Sequence, residues 1–365
     1  MKLGIVGLPN VGKTTLFNAL THARAAATTY AYTSAESNRG VVAVPDERLD
    51  RLHEALETPR KVNATIDVVD IAGLAEGASR GEGLGNRFLA DIRGVDAVGH
   101  VIRTFANADV AHVREKPDPR ADVDLVETEL VLSDLDLVER RRDKTVKAAR
   151  SGDKAMQREL ETVDRLIAAL REGTLARAVE RTAEEAPLLR ELALVSDRPV
   201  LFVLNTDDEQ AADDALTAHA DFVAWALARG DQVVAVPARL EAELADLEPD
   251  EAGAFRAELA LESGALDVFV RAAYDVLGYI TFFTGDHRSS ESRAWQLPRG
   301  WTAKQAAGRI HSDLEQGFIR AEVVRIEDLI ELGSFAAARE HAKARTEGKE
   351  YVVQDGDVME IRHNR

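Results

Sequence analysis

One eight-residue stretch, Gly7-Leu8-Pro9-Asn10-Val11-Gly12-Lys13-Thr14, constrains this chain more than any other. It fits G-x-x-x-x-G-K-[ST] at every position, directly after the apolar run KLGIVG and directly before a helical pattern. The two glycines let the backbone curl until several N–H groups aim at one point, where the helix N-terminus adds positive potential. A loop of this kind cradles a phosphate chain. Lys13 is then placed to reach the β- and γ-phosphates and Thr14 Oγ to ligate Mg2+, with Gly7, Asn10, Val11, Gly12 and Thr15 completing the nucleotide contacts. A chance glycine turn beside a surface lysine would lack the flanking strand and helix.

Further Val- and Ile-rich runs follow at ATIDVVDI (64–71), AVGHVI (97–102), PVLFVL (199–204) and QVVAVP (232–237), as buried parallel strands read. Helical patterns lie between them at Lys13 to Thr21, Asp46 to Glu57, Asn86 to Arg93 and Asp213 to Ala228. The alternation predicts an α/β fold with an open, doubly wound sheet, whose ligands sit at the carboxyl ends of the strands.

Residues 103–198 break the alternation. Val123, Val126, Leu130 and Leu137, then Met156, Leu160, Val163, Ile167 and Leu170, recur at three- and four-residue steps on either side of Ser151-Gly152-Asp153. That pattern predicts two antiparallel helices of about 25 residues each, a helical insertion at about 120–195 that projects as a spike. A basic run, Arg140, Arg141, Arg142, Lys144, Lys147 and Arg150, lies near its tip and reads either as a solvated helix face or as a contact surface. After an apolar helix ending near Leu277, the stretches ITFFTG, RAWQL and YVVQDGDVMEI with a central helix predict a small α+β domain. The expected domains are therefore 1–277 and 278–365.

A net charge of −18 argues against general, sequence-independent binding to nucleic acid. Gly278 to Arg365 holds 13 Lys/Arg against 14 Asp/Glu, net −1, so the preceding part carries −17. The C-terminal part is much the less repulsive towards RNA. There are no cysteines, which removes disulfides, thiolate metal sites and cysteine nucleophiles. The N-terminal segment reads as a first strand rather than a signal peptide, and no apolar window is long enough to span a bilayer. A cytoplasmic protein with no membrane contact is the expectation.

Asp70-Ile71-Ala72-Gly73 ends the strand at 64–71, where a carboxylate can hold a Mg2+-bound water and the Gly73 N–H can meet a γ-phosphate. The glycine-rich LAEGASRGEGLGN that follows reads as a switch ordered by that phosphate. Leu74 stands where many relatives of this class place a water-orienting glutamine, and leucine cannot orient water. His112, in FANADVAHVREK, is a candidate substitute, although a loop histidine without a role fits the sequence as well.

Taken together, GLPNVGKTTLFNAL, DIAGLAEGASRGEGLGNRFL and AAGRIHSDLEQGFIRAEV…EGKEYVVQDGDVM closely resemble the YchF family of Obg-like P-loop proteins, over essentially the whole chain. The resemblance implies a G domain interrupted by a helical coiled-coil insertion, then a C-terminal TGS domain. It also implies a hydrophobic residue at Leu74 and a hydrolytic role for His112. Members are thought to prefer ATP over GTP and are associated with ribosomes, here the large subunit, and with translation control and stress responses. The C-terminal domain and the spike are the surfaces whose charge permits contact with rRNA.

Two departures bear on the ligands. The family's switch threonine is replaced at YTSAESN by Ser34, which still offers Mg2+ a hydroxyl. The base-reading motif, N-x-x-E in the family and N-K-x-D in GTPases, is Asn205-Thr206-Asp207-Asp208. Asp208 could accept two N–H bonds from guanine, which keeps GTP as a substrate, while Thr206 in place of lysine favours ATP. Pro237-Ala238-Arg239, at the last G-domain motif, carries no vote on the base. The leading expectation is a Mg2+-dependent triphosphatase acting as a ribosome-associated switch. Its rivals are a nucleotide-gated adaptor with little intrinsic hydrolysis and, with the wrong switch equipment, a small-molecule kinase.

Overall fold

The computed structural model describes residues 2–22, 39–72, 84–105, 117–150, 153–208, 211–258 and 264–364. Twelve strands are found among them: β1 Lys2–Val6, β2 Arg39–Ala43, β3 Lys61–Val62, β4 Thr65–Asp70, β5 Ala97–Arg103, β6 Val200–Asn205, β7 Gln232–Val236, β8 Tyr279–Thr284, β9 Ser292–Pro298, β10 Phe318–Arg325, β11 Arg345–Glu347 and β12 Asp357–His363. They form two sheets, of order β2-β4-β1-β5-β6-β7 and β11-β10-β12-β8-β9-β3.

In the first sheet β1 pairs with β5, β5 with β6 and β6 with β7, all parallel, as the unbroken apolar runs require. Every residue of β5 and of β6 is buried. From β1 the chain is led to one side for β2 and β4 and to the other for β5, β6 and β7. The strand order thus reverses at β1, and the crevice at such a switch point is where ligands of open α/β sheets bind. The segment leaving β1 there is the Gly7–Thr14 loop, followed by α1, Lys13–His22.

Helices α2, Glu47–Leu56, and α3, Leu84–Arg93, occur as the periodicity predicts. The helix expected over Asp213 to Ala228 is broken at His219 into Ala212–Ala218 and Ala220–Ala228, because His219 leaves helical dihedrals at φ −114°. The insertion consists of α4, Pro119–Ala149, 31 residues, and α5, Lys154–Arg171, 18 residues, rather than two equal helices. Asp118 caps α4 by accepting from the Arg120 and Ala121 N–H groups, and Asp153 caps α5 through the Ala155 N–H. Arg141 meets Glu159, Arg142 meets Asp164 and Arg171 meets Glu139, so one helix descends as the other rises.

Val138, Val163, Leu166, Ile167 and Leu170 form the seam between them, joined by Leu189, Leu192 and Leu194. The first half of α4 does not stand clear as a spike. Val123, Val126 and Leu130 are buried, and Asp134, fully buried, accepts from the Val195 and Ser196 N–H groups and the Ser196 hydroxyl.

By internal contacts the described residues fall into two compact units, one taking in residues 2–20 and 68–269, the other residues 40–67 and 270–364. This division differs from the expected one at 277/278. The apolar helix Ala265–Val276 is split at Phe269, and residues 40–67 go with the C-terminal part. In that second unit β10 and β11 pair antiparallel, as do β10 and β12 and β8 and β9, while β12 runs parallel to β8 and β3 to β9. Ile280, Phe282, Leu297, Val323 and Met359 on this mixed sheet pack on Ala303 and Ala306 of the helix Ala303–Ile310.

Candidate functional site

The loop between β1 and α1 has the strained geometry that its glycines permit. Gly7 sits at φ +149° and Gly12 at φ +96°, and a Cβ would strike the Val101 carbonyl at the first and the Asn205 carboxamide at the second. Side chains are excluded at both for steric as well as conformational reasons. Asn10 also takes a positive φ of 62°, which asparagine tolerates better than most residues. Leu8 and Val11 are buried beneath the loop, Thr15 is half-buried, and Thr14 is exposed at the head of α1.

Lys13 is 8% exposed and its Nζ donates to the Leu8 carbonyl at 2.7 Å. Burial pushes its pKa down to about 8, with the nearby Asp70 opposing the shift. Thr14 Oγ1 donates to Asp70 Oδ2 at 2.8 Å, so the two proposed metal ligands are already side by side. Burial raises the Asp70 pKa, while the Thr14 bond and Lys13 charge lower it. A hydroxyl and a carboxylate are hard oxygen donors, the chemistry Mg2+ requires beside a triphosphate. The strand-end position of Asp70 and the helix-start position of Thr14 follow from the sheet: β4 lies next to β1 and both end at this crevice.

Asn205, at the end of β6, is 5% exposed. Its Nδ2 donates to the Val11 carbonyl at 2.8 Å and its Oδ1 accepts from the Ala238 N–H at 3.1 Å. The side chain thus pins the phosphate loop to the segment leaving β7. Asp208, expected to read the base, is engaged elsewhere: Oδ2 accepts from Arg239 Nε at 2.6 Å and also from Nη2, and Oδ1 accepts from the Leu240 N–H at 3.2 Å. Arg239, from the motif that carried no vote on the base, is thus in direct contact with the side chain expected to read it. Thr206 is buried at 3%, with its Oγ1 unpartnered.

Gly73, Ser34, His112 and Leu74 lie outside the described residues. A histidine the sequence did not flag, His100 on β5, is buried against Phe202 with ring centroids 5.8 Å apart. Burial, then the Lys13 and Arg177 charges, pushes its pKa down to about 3, so it is a neutral core residue and no general acid near pH 7.

Two family models match this architecture. The model for a 50S ribosome-binding GTPase, MMR_HSR1, matches residues 2–133, and YchF-GTPase_C, described as a protein of unknown function, matches residues 279–364. The ribosome-binding ATPase YchF of Bacillus subtilis is 43% identical over 362 residues, covering 99% of this chain and 98% of its own. The chain belongs to the YchF family. The YchF protein of Escherichia coli O157:H7 is 43% identical over 364 residues, spanning 100% of this chain and 99% of its own. The solved YchF GTPase of Schizosaccharomyces pombe superimposes with a TM-score of 0.86 at 32% identity, covering 99% of this chain and 97% of that one. As a YchF protein the chain is a P-loop nucleoside triphosphatase. No helix among the described residues is long and apolar enough to cross a membrane.

Proposed function

We propose that this YchF protein hydrolyses a nucleoside triphosphate, ATP in preference to GTP, with Mg2+, and that the ribosome reads the resulting switch. The observation that carries the reading is the grouping of the Lys13 ammonium, the Thr14 hydroxyl and the Asp70 carboxylate around one glycine-curled loop. Lys13 would leave the Leu8 carbonyl for the β- and γ-phosphates. Thr14 and Asp70 would hold Mg2+, with Ser34 as a further ligand and the Gly73 N–H on the γ-phosphate. Mg2+ supplies charge neutralisation at the phosphate oxygens. His112 would orient the attacking water in place of the glutamine that Leu74 displaces.

Proton linkage follows from Lys13. Its pKa is about 8 in the free chain, and bound phosphates raise it, so binding takes up a proton above pH 8. The sign is therefore fixed: affinity is constant from about pH 7 to 8 and falls up to roughly tenfold per pH unit above that, until the raised pKa of the complex is reached. Titration of a fluorescent ATP analogue up to pH 9.5 measures this. A flat profile would remove Lys13 from the phosphates.

The Bacillus subtilis and Escherichia coli relatives are named ribosome-binding ATPases, which supports a ribosome as partner, and the 50S-binding family model favours its large subunit. The helical insertion and the C-terminal TGS-like domain are the proposed contact surfaces. Within the basic run Arg140 is paired with Asp136, Arg141 with Glu159 and Glu191, and Arg142 with Asp164. Lys144, Lys147 and Arg150 are exposed, with no ion-pair partner among the described residues, and are the charges left for RNA phosphates.

Reversing those three to Glu is expected to lower co-sedimentation with ribosomes several-fold, and the native contact should weaken steeply between about 50 and 200 mM salt. Pelleting that ignores both changes would place the contact elsewhere. ATP turnover measured in the same samples, with His112→Ala as a second arm, separates switch from adaptor. Turnover by the unaltered chain that His112→Ala slows at unchanged affinity supports the switch. Binding without turnover, ribosomes present or not, supports the adaptor.

A further inference from the structure

We propose that Arg239 is a specificity-determining residue of the nucleotide site: by occupying Asp208 it blocks recognition of guanine and favours adenine. The inference rests on the nucleotide-binding reading above and names which base that site accepts.

Guanine is read by a carboxylate because its N1–H and exocyclic amino group present two donors side by side, a match for two carboxylate oxygens. Asp208 is at the position to do this, two residues past Thr206 in the loop that leaves β6, and Asn205 ties that loop to the phosphate loop through Val11. Neither of its oxygens is idle. Oδ2 receives Nε and Nη2 of Arg239, a forked charge-assisted contact, and Oδ1 receives the Leu240 N–H. Arg239 and Leu240 both belong to the helix Ala238–Ala245, whose first N–H is held by Asn205 Oδ1. The same two side chains that would face a base therefore cap this helix, and the arginine on its first turn neutralises the carboxylate.

For guanine to be read, its two donors would have to displace a guanidinium from Asp208, leaving it only the longer pair with Glu243 at 3.9 Å, and then lie beside that cation. Exchange of one charge-assisted pair for a neutral-to-charged one gains nothing. Adenine offers the opposite edge, an N1 acceptor and no N1–H, which a free carboxylate repels and a guanidinium suits. Of five Arg N–H donors, Nε and one on Nη2 serve Asp208, so three remain. The Arg239 side chain is 71% exposed while that of Asp208 is 21% exposed, so those outer donors are accessible to a ligand. Thr206 adds no competing charge, being buried in place of the lysine that GTPases carry at this step.

The test compares ATP and GTP affinity, with Mg2+, in the full chain and in Arg239→Ala, Asp208→Asn and the double variant. Release of Asp208 in Arg239→Ala should tighten GTP roughly tenfold relative to ATP. Asp208→Asn added to Arg239→Ala should cancel that gain, because the acceptor pair is gone. Arg239→Gln, which keeps the stem over the helix, should shift the ratio in the same direction and covers the case in which alanine unfolds the cap. An unchanged GTP-to-ATP ratio in folded Arg239→Ala and Arg239→Gln overturns the proposal while leaving the nucleotide site intact. An unaltered chain that binds neither nucleotide overturns the site reading itself, and the proposal with it.

Discussion

Replacing Lys13 by alanine is expected to cost this chain most of its affinity for ATP and GTP alike, with little effect on folding. On the proposed function the ammonium is the formal positive charge offered to the β- and γ-phosphates, and it is 8% exposed, so its attraction would be poorly screened. Hydrogen bonds to charged groups contribute about 1.5–3 kcal/mol each, and two phosphates would be served by one Nζ. A loss of about 3–5 kcal/mol, or roughly a hundred- to several thousand-fold in Kd, is the expected scale. Stability should move by no more than about 1 kcal/mol, since the side chain makes one bond to the Leu8 carbonyl and its burial already disfavours the charge. Titration with a non-hydrolysable analogue and a thermal melt, run together, measure both. Wild-type affinity for both nucleotides in a folded Lys13→Ala chain would remove the phosphate loop from the mechanism.

The parts of this site that could be read from the sequence are those whose geometry is local. Gly7, Gly12, Lys13 and Thr14 lie within eight residues, and the strand before them and the helix after them fix their relative positions before any tertiary contact is known. Asp70 was legible for a similar reason: a strand-end carboxylate in a parallel sheet has one place to go, the carboxyl edge, and it bonds Thr14 there. Buried parallel strands announce themselves by unbroken apolar runs, which is why β1, β4, β5, β6 and β7 were visible. β2 and β10 were not. In β10 Arg320 and Glu322 interrupt the apolar pattern between Phe318, which packs against the core, and the buried Ala321, Val323 and Val324.

Pairings between distant segments were illegible for a different reason. Nothing in Asn205-Thr206-Asp207-Asp208 says that an arginine 31 positions on will take its last carboxylate. Likewise the basic run on α4 looked like free positive charge because Glu159, Asp164 and Glu191 arrive from other segments. Periodicity located the insertion, but not that Asp134 anchors α4 to Val195 and Ser196. Charge counted along a sequence is an upper bound on charge presented at a surface, and here three of six basic side chains are spent internally.

Asn205→Ala is expected to weaken ATP and GTP by similar factors, because the residue shapes the site rather than reading the base. Its Nδ2 holds the Val11 carbonyl and its Oδ1 holds the Ala238 N–H, both in buried surroundings, across a sequence separation of 194 residues for the first. Alanine leaves one acceptor and one donor unpaired at about 1–3 kcal/mol each, so stability should fall by roughly 2–6 kcal/mol. The phosphate loop also loses the tie that fixes its curl beside Gly12, and an unpinned loop must be ordered by the nucleotide at the expense of affinity, roughly ten- to hundredfold. Asn205→Asp gives a sharper test. It preserves an acceptor for the Ala238 N–H but sets a second carboxylate oxygen against the Val11 carbonyl, so repulsion is added to the lost bond and the defect should exceed that of alanine. Thermal melts and parallel ATP and GTP titrations on both variants measure it. If Asn205→Ala instead weakens one nucleotide and spares the other, the carboxamide contacts the base, and its role as a brace between the two loops is wrong.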